Sequence, residues 1–517
     1  LGIAEKFARS IGFGQVSDLY NIDRNGGCKM SFYLNGYAYG SNPAKRSTVD
    51  IKNPVTREVM GTLPLAEGNE DAERVLSYAE EGLAIWENTP LYRRAQIMNK
   101  FADLLEKNEE RVAETLCRNM GRPISECHGE VSLTVALTRG YVEKANHEYG
   151  EVMPQNQPGL ENDIIFTRRE PLGVCMCIVP FNAPVELFAH KTVPALLMGN
   201  SVIAKMPSSD PMPILIMADL LTQAGVPHQT IQLLYASGKF VSQYINKSPR
   251  IAAITFTGST QVGRAVYEDS APQLHRVFLE MGGNDPLILT EDADLDYAAD
   301  QLVSTRTLNG GQVCCSSKRT LVPDTIADAF VEKVKARIAK VRQGNPLDPR
   351  TELGSLINAE AAAEVKRQID ETVRQGAICV CGGEIKDDVF LTPTLLDGVT
   401  SDMDVAKNME IFGPVMTIIR YHSIEEAIEI ANQTEYGLQA GIIAKDATQG
   451  IAIGARIKAG MVVVNGAGSY RHMDMPFGGF KNSGIGREGI AITLEEFSQP
   501  KCYVMKNVLN SVDFSNN

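Results

Sequence analysis

The sequence predicts an α/β fold of two parallel sheets, the first of Rossmann type. Three observations predict it. Between residues 173 and 281, short apolar runs (GVCMCIVPF, SVIAKM, IQLLYA, IAAITF, HRVFLEM) alternate with segments of helical character (VELFAHKTVPALLMG, PMPILIMADLLTQAG, QVGRAVYEDSA). Strands and helices alternating at this spacing specify a parallel sheet covered on both faces, the architecture that binds dinucleotides beyond the carboxyl ends of its strands. After Pro286 the alternation resumes through PLILT, RTLVPD, IFGPVMTIIRY, GIIAKD and GMVVVNG, which places a second α/β domain at 285–480. Third, TGSTQVG follows IAAITF and opens a helix, with Gly258 and Gly263 five apart. Backbone N–H groups at such a helix start favour a pyrophosphate, although Thr260 stands where the usual fingerprint has its middle glycine, so the phosphates would be held loosely.

Taken in order, residues 1–29 read as an N-terminal extension without chemistry, with Ile3, Phe7 and Ile11 at spacing four. Residues 30–148 and 172–284 together make the dinucleotide-binding domain. Asp50 to Leu65 reads as strand, turn at Asn53–Pro54, strand. One amphipathic helix follows Asn69, and a single long one runs from Pro90 to Gly121 with Ile97, Phe101, Leu104 and Leu105 on one stripe. The terminal SQPKCYVMKNVLN reads as a strand that pairs across a subunit boundary with ENDIIFTRREP, making 149–171 and 490–510 a small β oligomerisation element.

A net charge of -13 over 517 residues argues against nucleic acid, whose phosphates need a dense basic surface. Ten cysteines are an ordinary share of a chain this long, and Cys175/Cys177 and Cys379/Cys381 are spaced C-x-C, which is neither a zinc clip nor a redox pair. Reduced thiols and a cytoplasmic location are expected. No histidine spacing suggests a metal, and no apolar run reaches the roughly 18 residues of a membrane span.

The chemistry centres on NGGQVCCSSKR, Asn309 to Arg319, where a thiol at Cys314 sits among glycines and polar residues instead of the aliphatic neighbours of a structural cysteine. A working thiol needs a route to thiolate, a base, and donors for an oxyanion. Glu280 ends an apolar strand just before two glycines, where desolvation would raise its pKa towards neutrality; a solvated loop glutamate is the plainer reading. Asn182, in the turn VPFNAP, offers an amide that either meets an oxyanion or ties the turn to itself.

PFNAP, AHK at Ala189 to Lys191, IAKMPSSDP, FTGSTQVG, LEMGGNDP, GQVC, EIFGPV and PFGGFKNSGIGREG occur in this order from about Met30 onward, and the acid precedes the thiol by the expected interval. Through them the chain resembles the aldehyde dehydrogenase superfamily over nearly its whole length. The resemblance implies Cys314 as nucleophile with Cys315 a spectator, Asn182 and the Cys314 N–H as oxyanion hole, Glu280 as base for the deacylating water, and Lys191 and Glu488 in proton relay. It places Pro180, Phe181, Lys205, Ser208, Gly258, Ser259, Gly263, Glu410 and Phe412 at positions that hold NAD or NADP. NAD-preferring relatives carry a glutamate where Ser208 stands, so the expectation leans to NADP, with Asp210 nearby restoring part of the repulsion of a 2′-phosphate. The implied substrate is a small hydroxy- or anionic aldehyde such as lactaldehyde, glycolaldehyde, a semialdehyde or a phosphorylated aldehyde. Arg306, Arg471 and His472 are candidates for an acidic tail, although each arginine equally suits an ordinary ion pair. Leu308 stands where succinate-semialdehyde enzymes have an arginine, which weighs against that substrate. Coenzyme A as the acyl acceptor is the nearest alternative, disfavoured by Glu280, and a catalytically inactive binding protein on the same scaffold is the other. A homodimer or homotetramer is expected.

Overall fold

The computed structural model describes residues 21–22, 28–29, 32–40, 46–148 and 150–510; the expected extension 1–29 lies almost wholly outside them. The first sheet runs in the order Gly484–Ile485, Arg276–Glu280, Ala253–Thr257, Val174–Ile178, Ser201–Lys205, Ile231–Leu234, Tyr33–Leu34, Tyr37–Ala38. The strands from Arg276–Glu280 to Tyr33–Leu34 are parallel, and their register pairs Ile178 with Lys205, Phe256 with Ile178, and Thr257 with Glu280. One row of residues therefore finishes together at the carboxyl edge, which is where a parallel sheet offers its crevice.

The second sheet runs Ile378–Cys381, Thr394–Val399, Val415–Tyr421, Ser317–Pro323, Asp285–Leu289, Gln439–Ile443, Met461–Val464. Only residues 281–284 separate the first sheet's Arg276–Glu280 from the second sheet's Asp285–Leu289. A side chain at Gly283 would come within 2.9 Å of Leu438 and 3.1 Å of the Cys314 carbonyl oxygen, so the absence of a Cβ lets this link run against the thiol loop.

Three expectations are corrected. The helix expected over 90–121 is two, Leu91–Lys107 and Glu109–Met120, broken at Asn108, whose side chain turns back to the Leu104 carbonyl at 2.7 Å; the amide competes with the helical ladder. A helix not foreseen, Ile124–Ala145, packs against both and against Pro184–Leu197. It is contacted on several sides and buries Cys127, Val131, Thr134, Leu137 and Tyr141 alike, so it carries no clean apolar stripe to read. The terminal strand Ser498–Met505 does pair antiparallel with Ile164–Pro171, from Ser498↔Pro171 to Met505↔Ile164, but within the same chain. Asn200 donates to the Phe497 carbonyl at 2.8 Å and Arg276 to the Ser498 carbonyl at 3.1 Å, delivering the strand to its own molecule's edge. No helix among the described residues is long and apolar enough to cross a membrane.

Arg306, a candidate for the substrate's tail, is a structural peg. Its side chain is wholly buried and donates to the carbonyls of Val415 (2.8 Å), Ile411 (2.9 Å) and Gly413 (2.5 Å) and to Ser316 Oγ (2.5 Å). Those donors are spent inside the second sheet. Arg306→Met would leave three buried carbonyls without that partner, and we expect a loss of about 3 kcal/mol or more in denaturant unfolding, with the substrate affinity of the folded fraction unchanged. A wild-type midpoint with weakened substrate binding would restore the tail-binding role.

Candidate active site

After the helix Leu295–Thr307 the chain turns through Asn309, Gly310 and Gly311, all left-handed at φ 50°, 63° and 73°. A Cβ on Gly311 would fall 2.1 Å from the Gly413 oxygen, so only glycine fits there. Gln312 ties the turn internally, donating to the Asn309 carbonyl (3.0 Å) and accepting from the Ile357 N–H (3.0 Å). Lys318, buried, donates to the Cys314 carbonyl at 2.5 Å and lies 3.1 Å from Glu410 Oε1. Cys315 is packed away with Leu438 and Phe477, whereas Cys314 is partly open and lines a cavity of about 980 Å³.

Asn182 and Glu280 line the same cavity. The Asn182 amide donates one N–H to the Gln312 carbonyl at 3.1 Å, which fixes the amide plane against the thiol loop. Glu280 is 6 % exposed, and its Oε1 has no hydrogen-bond partner among the described residues. Burial, with Cys314 and Glu488 adding, pushes its pKa well above the carboxylate range; Lys191 and Arg471 oppose this only in part. The Cys314 thiol is likewise pushed up, by the adjacent Cys315 thiol and by burial, against Lys318 and Arg471. Both groups are therefore set to titrate above their ordinary values.

The rest of the cavity suits a dinucleotide. Lys205 stands at its strand's end with no ion pair among the described residues, and burial alone brings its pKa down to about 8. A desolvated, unneutralised ammonium in a cavity calls for an anionic or hydroxyl-rich ligand. Ser259 caps the helix Thr260–Ser270 beside Gly258. Glu410 accepts from the Gly283 N–H at 3.3 Å, and Phe412 meets Phe181 edge-on at 6.2 Å, beside Pro180 on the same wall. Ser208 lies exposed on the rim. Two expectations fall here. Gly263 is not among the lining residues: its N–H serves the helix by donating to the Ser259 carbonyl, and a Cβ would strike Met281 Sδ at 2.2 Å, so it is glycine for packing. Asp210 is wholly buried with neither carboxyl oxygen hydrogen-bonded among the described residues, and burial pushes its pKa up, which disfavours the charge that would repel a 2′-phosphate.

Behind Glu280 lies a charged cluster. Lys191 Nζ sits 3.1 Å from Glu488 Oε1, and Arg471 sits 2.9 Å from Glu488 Oε2 and 3.4 Å from Glu186 Oε1, its guanidinium 4.2 Å from the centre of the Phe477 ring. Although burial opposes ionisation of Glu488, Lys191 and Arg471 outweigh it and hold the carboxylate well below its usual range. Arg471 also lies 2.9 Å from His190 Nε2, and Tyr141 Oη 3.0 Å from Nδ1. A guanidinium can only donate, so Nε2 accepts and the imidazole is neutral, as its burial also dictates. His472 does not join this cluster; it is exposed and accepts the Asp474 N–H at 3.3 Å in its own turn. Sequence reasoning missed Glu186, His190 and Lys318. The signal for the first two was a polar pair at i, i+4 in the mostly apolar PVELFAHKTVPALL.

The aldehyde dehydrogenase family model matches residues 41–503. The chain is 34% identical over 464 residues to a lactaldehyde dehydrogenase of Methanococcus aeolicus, covering 89% of this chain and 97% of the relative. It is 35% identical to a 3-sulfolactaldehyde dehydrogenase of Priestia aryabhattai over 91% of this chain and 97% of the other. Among solved structures, the glyceraldehyde-3-phosphate dehydrogenase GapN of Methanocaldococcus jannaschii, complexed with NADP, superposes with a TM-score of 0.84 at 33% identity, covering 90% of this chain and 100% of that one. With a thiol, an amide and a buried carboxylate on the wall of one dinucleotide-sized cavity, and with homology along nearly the full length, this chain belongs to the aldehyde dehydrogenase family.

Proposed function

We propose that the chain oxidises a small 2-hydroxyaldehyde to its acid on Cys314, with Asn182 as oxyanion donor and Glu280 as the base of deacylation. The convergence of these three side chains on one cavity carries the reading. The thiolate adds to the aldehyde carbon, and the resulting alkoxide is met by the second N–H of Asn182 and the N–H of Cys314. Lys205, Ser259, Glu410 and Phe412 would hold NAD or NADP, whose nicotinamide would accept the hydride lost from the former aldehyde carbon. Glu280 then takes a proton from the water that attacks the thioester, and Lys191 and Glu488 behind it pass that proton outward. The acid leaves and the Cys314 thiolate is restored. Glu280 beside the thiol favours water over coenzyme A as acyl acceptor.

The substrate's tail is read from charge. Among the described residues of the cluster behind Glu280, Arg471 and Lys191 are matched by Glu186 and Glu488 and His190 is neutral, and Lys205 is taken by the dinucleotide, so an anionic tail would meet no unmatched cation in that cluster. This favours an uncharged tail, as in lactaldehyde or glycolaldehyde. A tail bearing sulfonate or phosphate is the second reading, favoured by the activities named for two of the three relatives. For the cofactor, the exposed hydroxyl of Ser208 and the burial of Asp210, which disfavours its charged form, favour NADP. We also propose a homodimer or homotetramer built on the ribbon of Ile164–Pro171 and Ser498–Met505, whose Val504 and Met505 are exposed; a monomer in sedimentation would reject it.

Asn182→Ala is expected to keep dinucleotide affinity while losing ~10²-fold or more in kcat. Glu280→Gln should give a burst of reduced cofactor in the first turnover and almost no steady-state rate; equal loss of burst and steady state would remove Glu280 from deacylation. Because the pKa values of Glu280 and Cys314 are both raised, their reactive anions grow in as pH rises, and kcat/KM should climb from neutrality into the alkaline range. A profile falling above pH 7 would contradict this. A panel of lactaldehyde, 3-sulfolactaldehyde and glyceraldehyde 3-phosphate, run with both cofactors and with cofactor Kd measured separately, should rank lactaldehyde with NADP first. A sulfonate or phosphate preference would favour the second reading, and a strong NAD preference would overturn the cofactor assignment.

A further inference from the structure

We infer that Glu126 and Glu130, clamped together by Arg122, are positioning residues that set Asn182 against the Cys314 loop from a helix outside the cavity. The inference rests on reading Asn182 as the oxyanion donor. None of these three residues lines the 980 Å³ cavity, and nor does Asn309, through which Glu126 acts.

Glu126 and Glu130 lie one turn apart on Ile124–Ala145, with Arg122 just before the helix. Arg122 Nε is 2.9 Å from Glu126 Oε2 and Nη1 is 2.5 Å from Glu130 Oε2. The other oxygen of Glu130 accepts the N–H groups of Val185 (2.8 Å) and Glu186 (3.0 Å). These are N–H groups at the start of the helix Pro184–Leu197, whose own N-cap position is Ala183 and provides no side-chain cap. Glu130 thus caps a foreign helix that begins two residues after Asn182. Glu126 Oε2 also accepts the Asn309 N–H at 2.9 Å, and Asn309 Nδ2 donates to the Asn182 carbonyl at 2.8 Å. One guanidinium and two carboxylates therefore hold two backbone segments from different sheets: the turn after Val174–Ile178, and the left-handed loop before Ser317–Pro323.

The arrangement is costly. Two nearly buried carboxylates face a single guanidinium, and burial raises both acids against its pull. Apolar residues of the same volume would pack such a junction more cheaply. What they cannot do is accept three directed N–H groups at fixed positions. Those acceptors matter at an oxyanion hole, where a displacement of about 1 Å costs on the order of 10²-fold in rate.

The test is a double-mutant cycle. Glu126→Ala should lower kcat by about tenfold or more while dinucleotide Kd, measured by calorimetry, stays within about twofold. Glu126→Gln keeps an oxygen for the Asn309 N–H and should recover most of that loss. Asn309→Gly keeps the backbone N–H and tolerates φ 50°, but removes the link to Asn182, and should match Glu126→Ala even if the alanine variant folds poorly. In an Asn182→Ala background, removing Glu126 should cost less than about twofold more, because the group it positions is already gone. Losses that multiply across the cycle, or wild-type kcat in Glu126→Ala, would overturn the positioning role while leaving Asn182 as the donor. Wild-type turnover in Asn182→Ala alone is a different failure, which would remove the oxyanion reading itself.

Discussion

Residues 281–284 carry the chain from the strand ending at Glu280 to the strand beginning at Asp285, and the two glycines within it let one sheet's acid reach the other sheet's thiol loop. Gly283 passes beside the Cys314 carbonyl, and Gly282 presses on Glu410, where a Cβ would come 2.4 Å from Oε2. Around this link the contacts reinforce one another. Lys318 bridges the Cys314 carbonyl and Glu410, and Glu410 accepts from Gly283. A wider joint would separate the carboxylate of one sheet from the sulfur of the other, and no rotamer would restore the approach. The backbone, more than any side chain, sets the spacing of the site.

Desolvation is what that closeness brings. Glu280 and Cys314 are both held towards their neutral forms, while Glu488, also largely enclosed, is held towards its ionised form by Lys191 and Arg471. Two carboxylates of one site are thus shifted in opposite directions because one has paired cations at hand and the other chiefly low-dielectric surroundings.

Much of this was legible in the sequence because it is local. Strand ends, the glycine pair after Glu280, and the polar setting of Cys314 are written in consecutive residues, and the fold class follows from alternation alone. What was not legible depends on which way a side chain points after packing. Arg306 reads as a free cation until helix Leu295–Thr307 is docked and its donors turn inward. Asp210 reads as a charge on a loop, yet it is buried; Gly263 fits a phosphate pattern, yet it is small to admit Met281. The helix Ile124–Ala145 escaped because it is contacted on several sides, and with it escaped Glu126 and Glu130, whose backbone N–H partners lie more than fifty residues away in the chain.

The short strand Gly484–Ile485 lies antiparallel beside Arg276–Glu280 and closes the edge of the first sheet, and Glu488 follows it into the charged cluster. On a ribosome, which releases the chain from its N-terminus, that edge is the last part of the sheet to be covered. The strand bearing Glu280 has an open flank throughout the synthesis of some two hundred residues, the interval from Glu280 to Gly484, a period in which unpaired strand edges invite association with other chains. The cluster is completed only once Gly484–Ile485 and Glu488 have emerged, so a product truncated before them would carry Cys314 and Glu280 without the carboxylate that pairs with Lys191 and Arg471.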